Sequence, residues 1–205
     1  MNRKSHWEQV YTDKSPLEVS WYQKAPELSL QLIRDSGIKK DESLIDVGGG
    51  ASILVEHLHT EGFNHLAVLD ISGKALVWAQ KQLGEAAEKV EWFESDVTEF
   101  TAPHPFMLWH DRAVFHFLTD ASDRKKYIEV LKRTLAEEGG LIIAAFAIGG
   151  PTRCSGLDIV QYDASKLGAE LGREFQLVEE CSELHITPGE SEQQFNYFRF
   201  VRRTG

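Results

Sequence analysis

The sequence predicts an α/β fold, a mainly parallel sheet with helices on both faces and an antiparallel hairpin at its C-terminal end. Three observations predict it. Short apolar runs of strand length alternate with helix-like segments from residue 43 to residue 171. Three glycines, Gly48 to Gly50, follow the first of those runs directly. Residues 175–201 then change to a period of two around Thr187-Pro188-Gly189, as a hairpin does. Such a hairpin on a parallel sheet makes it mixed.

In chain order, residues 5–12 and 24–36 read as helices, separated by the turn-forming Lys14-Ser15-Pro16. Ser43–Val47 (SLIDV) is a short buried strand that runs into the glycines. Ser52–Glu61 is the next helix, closed by Gly62. Leu66–Asp70 is a second strand, Gly73–Leu83 a helix ended by Gly84, and Val90–Phe93 a third strand. Phe106–Asp111 is a fourth strand. Arg124–Leu135 is a helix broken by Gly139-Gly140, and Leu141–Phe146 is a fifth strand. Tyr162–Leu171 is helical, and Phe175–His185 with Gln194–Val201 forms the hairpin.

The bulk properties narrow the function. A chain of 205 residues, 42% hydrophobic and 26% charged, is expected to form one domain over residues 1–205 with a sizeable core. We find no repeats, linkers or low-complexity segments. The net charge of −10 argues against nucleic-acid partners, because an acidic surface repels phosphates. No signal-like or membrane-spanning stretch is present, and Cys154 and Cys181 form no CxxC pair or disulfide framework. A cytoplasmic protein with reduced thiols is the expectation.

The chemistry centres on Asp46-Val47-Gly48-Gly49-Gly50-Ala51-Ser52. Glycines after a strand let the backbone turn sharply and approach a ligand, and the free N–H groups of a following helix face it. Twenty residues past Gly50 the second strand ends in Asp70, where a carboxylate accepts hydrogen bonds from ribose hydroxyls. The plainer alternative is a tight strand–helix connection with a surface Asp. Asp46 discriminates between nucleotides. A carboxylate there repels a pyrophosphate, as in NAD, and suits a ligand with an amino group, a sulfonium and no phosphate, namely S-adenosylmethionine (SAM).

The ordered set LIDVGGGAS, VLDIS, ESDVTEF and LWHDRAVFHFL, with a Gly-Gly before the next strand, resembles the class I SAM-dependent methyltransferases. The resemblance covers residues 44–147 and extends to the closing hairpin; Ser52 stands where the loop usually has its last glycine. It implies a Rossmann-like mixed sheet and SAM as the cofactor. It further implies that Asp46 contacts the methionine moiety and that Gly48, Gly49 and Gly50 form the close-approach turn. Asp70 would bind the ribose, Ile71 would pack on adenine, Asp96 would bond the adenine amino group beside Val97, and Asp111 would sit beside the transferring methyl. For Asp96 the alternative is a turn in which the side chain bonds its own backbone.

Residues 1–36 are expected to form a helical lid on a core of residues 43–205. Trp7 and Tyr11 lie four apart on one helix face, and Trp21-Tyr22 follows. The W-x-x-x-Y segment and the aromatic pair resemble the lid of some class I methyltransferases, and aromatic faces attract a sulfonium. The alternative is that these rings only pack a core. Trp7, Tyr11 and Trp21 are the lid contacts taken here.

For the acceptor, His110, Asp111, Arg112 and His116 follow the fourth strand. His116 is a candidate general base, with Asp111 as its catalytic companion; the alternative for either histidine is structural. Arg112 binds an anionic acceptor or pairs with a local acid. Arg153 and Cys154, in the loop after the fifth strand, and His185, at the hairpin, complete the candidate substrate contacts. No metal is expected, since no cluster of oxygen ligands accompanies Asp111. The expected function is methylation of a small-molecule acceptor, with a protein (lysine) acceptor as the alternative. A binding module without catalysis and an NAD-dependent oxidoreductase are the other classes weighed.

Overall fold

The computed structural model describes residues 2–203. Nine strands and six α-helices follow in the order α1 (Arg3–Asp13), α2 (Glu27–Asp35), β1 (Ser43–Val47), α3 (Leu54–Thr60), β2 (His65–Asp70), α4 (Gly73–Leu83), β3 (Val90–Glu94), β4 (Phe106–Arg112), α5 (Ala121–Thr134), β5 (Leu135–Phe146), β6 (Arg153–Cys154), β7 (Leu157–Asp158), α6 (Ala164–Leu171), β8 (Phe175–Ile186) and β9 (Glu192–Arg202). Short 3₁₀ turns lie at Gly84–Lys89 and Phe115–Phe117.

The main sheet has the order β3-β2-β1-β4-β5-β9-β8; β1 to β5 are parallel, and β9 and β8 are antiparallel. The strand order reverses between β1 and β4, and ligands of open α/β sheets bind at such a point. Two apolar clusters cover the faces. Leu30, Ile33, Leu54, Leu58 and Leu76 bring α2, α3 and α4 to one face. Tyr127, Val130, Leu131, Leu167 and Leu171 bring α5 and α6 to the other.

The predicted elements are present, with shifted ends. α3 begins at Leu54, because the Ser52 hydroxyl accepts from the Leu54 N–H and the Ser52 N–H bonds back to Gly49. α5 starts at Ala121, and α6 starts at Ala164 behind a capping Asp163. The break expected at Gly139-Gly140 falls earlier. α5 ends at Thr134 and β5 starts at once, with a register shift against β4. Glu138 holds φ 64° there, and Gly140 packs where a side chain would meet Leu108. The loop after β5 carries a pair not foreseen, β6 with β7.

Along β4 the period of two sends neighbours to opposite faces. Trp109 and Asp111 face α5. The Trp109 Nε1–H donates to the Tyr127 hydroxyl (2.9 Å), and that hydroxyl donates to Asp111 Oδ2 (2.6 Å). Asp111 also accepts from the N–H groups of Val114 (2.8 Å) and Phe115 (3.1 Å) and is fully buried. The chain turns back at Ala113, whose φ is 71°. Asp111 therefore pins the turn after β4 to the core.

Replacing Asp111 with Ala strands a buried hydroxyl and two N–H groups, and we expect a loss of about 3 kcal/mol. Tyr127→Phe removes one of those bonds and should cost about 1 kcal/mol. Urea denaturation measures both; an Asp111→Ala loss no larger than that of Tyr127→Phe contradicts the pinning role.

Candidate functional site

Two adjoining cavities lie at the ends of β1, β2 and β4, and they share Trp21, Val47, Gly48 and Arg112 in their walls. The larger encloses about 850 Å³. On its wall are Asp70 at the end of β2 and Ile71 next to it, Asp96 and Val97 after β3, and Phe117, Phe146 and Phe195. Trp7 and Tyr11 of α1 and Trp21 of the following loop complete it. The smaller, about 510 Å³, is walled by Asp46, Gly48, Gly49, Gln23, Ser29 and His110, among others.

The glycine turn is built for close approach. Gly48 has φ 72°, and any side chain there would run into Val114. A side chain on Gly49 would strike the Asp46 carboxylate, and one on Gly50 would crowd Asp70 and Ala75. The Gly50 N–H instead donates to Asp70 Oδ2 (3.1 Å), and the Ser72 N–H donates to Oδ1 (2.8 Å). Burial outweighs these bonds and pushes the Asp70 carboxyl up to about 6, and the neighbouring Asp46 adds to the rise.

Asp46 is 2% exposed. Its Oδ1 accepts from His110 Nδ1 (2.7 Å), and His110 Nε2 bonds to the Ser29 hydroxyl (2.9 Å). The other oxygen, Oδ2, is buried without a partner. One unsatisfied carboxylate oxygen thus stands at the wall of the smaller cavity.

The lid is fastened at several points. Trp7 meets Trp21 and Phe117 edge to face (5.7 and 5.0 Å between centroids), and Tyr11 meets Trp21 (6.2 Å). Arg112 Nη1–H donates to the Trp21 carbonyl (3.0 Å), and His185 Nε2–H donates to the Ser20 carbonyl (2.7 Å). Gln23 donates to Glu183 (3.0 Å). Arg3 bonds both oxygens of Asp96 and pairs with Asp123. Asp96 Oδ1 also accepts from the Thr98 N–H (2.9 Å) and hydroxyl (2.8 Å), which is the turn weighed from the sequence.

Residues 44–139 match the methyltransferase-domain family. The chain superposes on a SAM-dependent methyltransferase from Anabaena variabilis with a TM-score of 0.77, at 15% identity over 99% of this chain and 96% of the other. It superposes on the N-methyltransferase NodS of Bradyrhizobium japonicum, in complex with S-adenosyl-L-homocysteine, with a TM-score of 0.73, at 19% identity over 96% and 98%. The methyltransferase-domain match thus covers the middle of the chain, and the whole chain takes the fold of these SAM-dependent methyltransferases. It is also similar to the eEF1A lysine and N-terminal methyltransferase of Bos taurus, 25% identical over 154 residues. That match covers 74% of this chain but only 21% of the bovine protein, so the chain spans about a fifth of that relative.

The structure redistributes the expected acceptor-side contacts. Asp111 does not line either cavity; it faces α5, so neither a catalytic nor a cofactor contact is built there. His116 is also off the wall, fully buried between Phe117 and Phe146, with both ring nitrogens unpartnered. Burial, with a smaller push from Arg112, lowers its pKa to about 3, so it is neutral and sealed from an acceptor. His185 holds the lid loop instead of lining the cavity. Arg153 is exposed and bonds the Gly156 carbonyl (2.7 Å) and Asp158 (3.0 Å) within the β6–β7 turn. Arg112 and Cys154 do line the larger cavity.

Sequence reasoning missed Arg3, Gln23, Ser29, Gln193 and the three phenylalanines. The signal for His110 was available, since parallel pairing of β1 with β4 sets it beside Asp46. Among the described residues no group of three or more His, Cys, Asp or Glu side chains is gathered for a metal, and no helix is long and apolar enough to cross a membrane.

The buried histidines His110 and His116 each lead to a measurable expectation. In SAM titrations, Asp46→Asn and His110→Leu should each weaken binding about tenfold, or about 1.4 kcal/mol. The double variant should lose no more than about 0.5 kcal/mol beyond Asp46→Asn, because His110 acts through Asp46; full additivity contradicts this. His116, depressed in the folded state, contributes stability present above pH 6.5 and lost as pH falls toward 3. Between pH 7.5 and 5 the wild type should therefore lose about 2 kcal/mol that a His116→Phe variant keeps. Urea midpoints at the two pH values measure the difference.

Proposed function

We propose that the protein transfers a methyl group from SAM to a small-molecule acceptor held in the larger cavity. The observation that carries the SAM half is the unpartnered Asp46 oxygen at the smaller cavity, which adjoins the larger one that Asp70 and an aromatic lid complete. The residues fit SAM part by part. Asp46 Oδ2 would accept from the methionine amino group. Asp70 has one donor on each oxygen and retains lone pairs for the two ribose hydroxyls. Ile71 and Val97 offer apolar surface to adenine. Asp96 is committed to Arg3 and Thr98, so its bond to the adenine amino group needs Arg3 to yield. Trp7, Tyr11 and Trp21 present rings to a cation. When bound, SAM supplies a methyl carbon made electrophilic by its positively charged sulfur.

The chain's own residues then bind, orient and exclude water. A fixed Asp46 and Asp70 set the cofactor's axis, and the lid rings cover it. The small-molecule acceptor is favoured by the enclosure of Phe117, Phe146, Cys154 and Phe195 beneath the lid loop. A protein acceptor is the second reading, and the similarity to the bovine lysine and N-terminal methyltransferase favours it.

Calorimetry with SAM and with NAD tests the cofactor. SAM should bind in the micromolar range, about −8 kcal/mol, Asp70→Ala should weaken it at least about tenfold, and NAD should give no heat. Incubation of a cell extract with methyl-labelled SAM separates the acceptors. Label in small solutes supports the proposal, and label confined to protein bands overturns it.

A further inference from the structure

The acceptor end of the larger cavity carries more chemical information than the function above uses. This inference rests on that reading. The wall here comes from four strands and the turn after β4: Arg112, Phe146, Cys154, Gln193 and Phe195, with Phe117 beside them.

Arg112 is held rigidly. Its Nε–H donates to the Tyr197 hydroxyl (2.8 Å), Nη1–H donates to the Trp21 carbonyl, and its guanidinium lies 4.5 Å over the Phe195 ring. Nη2 is buried and has no hydrogen-bond partner. Its nearest acid, Glu183, lies at 3.7 Å, beyond hydrogen-bond reach, and already accepts from Tyr197 and Gln23. Glu183 is not on the cavity wall; it forms a long ion pair with Nη2 and leaves that nitrogen without a hydrogen-bond acceptor. A guanidinium edge in this state fits an anionic ligand atom.

The same end has no group to take a proton. Arg112, Cys154 and, from the lid, Tyr11 are the titratable side chains described there, and burial pushes the Cys154 thiol and the Tyr11 hydroxyl up, so both keep their protons at neutral pH. His116, His185 and Asp111 stand behind the wall. An acceptor that must lose a proton during methyl transfer finds no base here. An acceptor already ionised needs none, and a fixed cation favours ionisation of an acidic O–H or S–H beside it.

We propose that the acceptor is a small conjugated molecule whose methyl-accepting atom is an ionised oxygen or sulfur, of phenolate or thiophenolate type. Its ring lies among Phe117, Phe146 and Phe195, and its charge lies at Nη2 of Arg112. In the transfer, a lone pair of this anion forms the bond to the methyl carbon as the methyl–sulfonium bond breaks. The released pair stays on sulfur, one positive and one negative charge cancel, and no proton moves. Arg112 thereby takes the place of a general base by selecting the ionised acceptor, and a lysine ammonium is disfavoured at the same position.

The test uses 4-nitrophenol, whose visible absorbance reports the phenolate, with the full-length protein saturated with S-adenosylhomocysteine. The bound probe should ionise at a pH lower by about one unit or more than the free probe. Arg112→Met should abolish that shift and Arg112→Lys should keep part of it, while the neutral analogue 4-nitroaniline should lose less affinity than 4-nitrophenol on the Arg112→Met change. Thermal midpoints verify that each variant is folded, and the lysine variant keeps the test decisive if the methionine variant is not. S-adenosylhomocysteine binding without any shift of 4-nitrophenol overturns the acceptor class and leaves the cofactor reading standing. An equal shift in Arg112→Met also overturns it. Failure of the wild type to bind S-adenosylhomocysteine overturns the function on which the inference rests.

Discussion

Burying a carboxylate costs several kcal/mol unless its charge and lone pairs are met, and this chain buries two close enough to raise each other's cost, Asp46 and Asp70. The rest of the site depends on how that is managed. Asp46 is held by a histidine from β4, which is held in turn by a serine from α2, so three elements fix one oxygen. Asp70 is held by backbone N–H groups of the glycine turn and of the start of α4. Only partial satisfaction is achieved. What remains is negative potential and a free acceptor at the point where the strand order reverses, which is the place a cationic ligand would relieve.

β4 divides labour by the alternation of its side chains. Its residues facing α5, Trp109 and Asp111, join Tyr127 in a buried hydrogen-bonded chain that serves stability. Those facing the other way, His110 and Arg112, serve the cavities. A slip of one residue in the β1–β4 register would exchange the two sets. The chain thus has a core reason and a site reason to hold one register.

The cofactor half was legible in the sequence because it is local. Val47 to Gly50 and Asp70 are set by strand ends and turns, and Gly48 requires a backbone conformation that the sequence states openly. The shared helix face of Trp7 and Tyr11 was legible through their spacing, and both rings meet Trp21. The acceptor half was not. Arg112 is set by Tyr197 and Phe195 from β9 and by Glu183 from β8, more than seventy residues away, and strand spacing alone does not state such pairings. Asp111 and His116 misled for a related reason. Position in a motif does not tell which face of a strand a side chain takes or whether an aromatic shell closes over it. The family match, over residues 44–139, likewise ends before the acceptor-side strands begin to contribute their rings.

The fastening of α1 has a consequence of its own. The helix has no fully buried residue, and beyond its aromatic contacts it is tied to the core by charges: Arg3 to Asp96 and Asp123, Lys4 to Glu94, and Glu8 to Lys74. Partly exposed ion pairs fade as dissolved salt screens them, whereas Asp46, Asp70 and Arg112 lie too deep to be screened in the same degree. The roof and the floor of one cavity therefore answer differently to ionic strength. Added electrolyte therefore weakens the ties of α1 more than the contacts that hold Asp46, Asp70 and Arg112 beneath it.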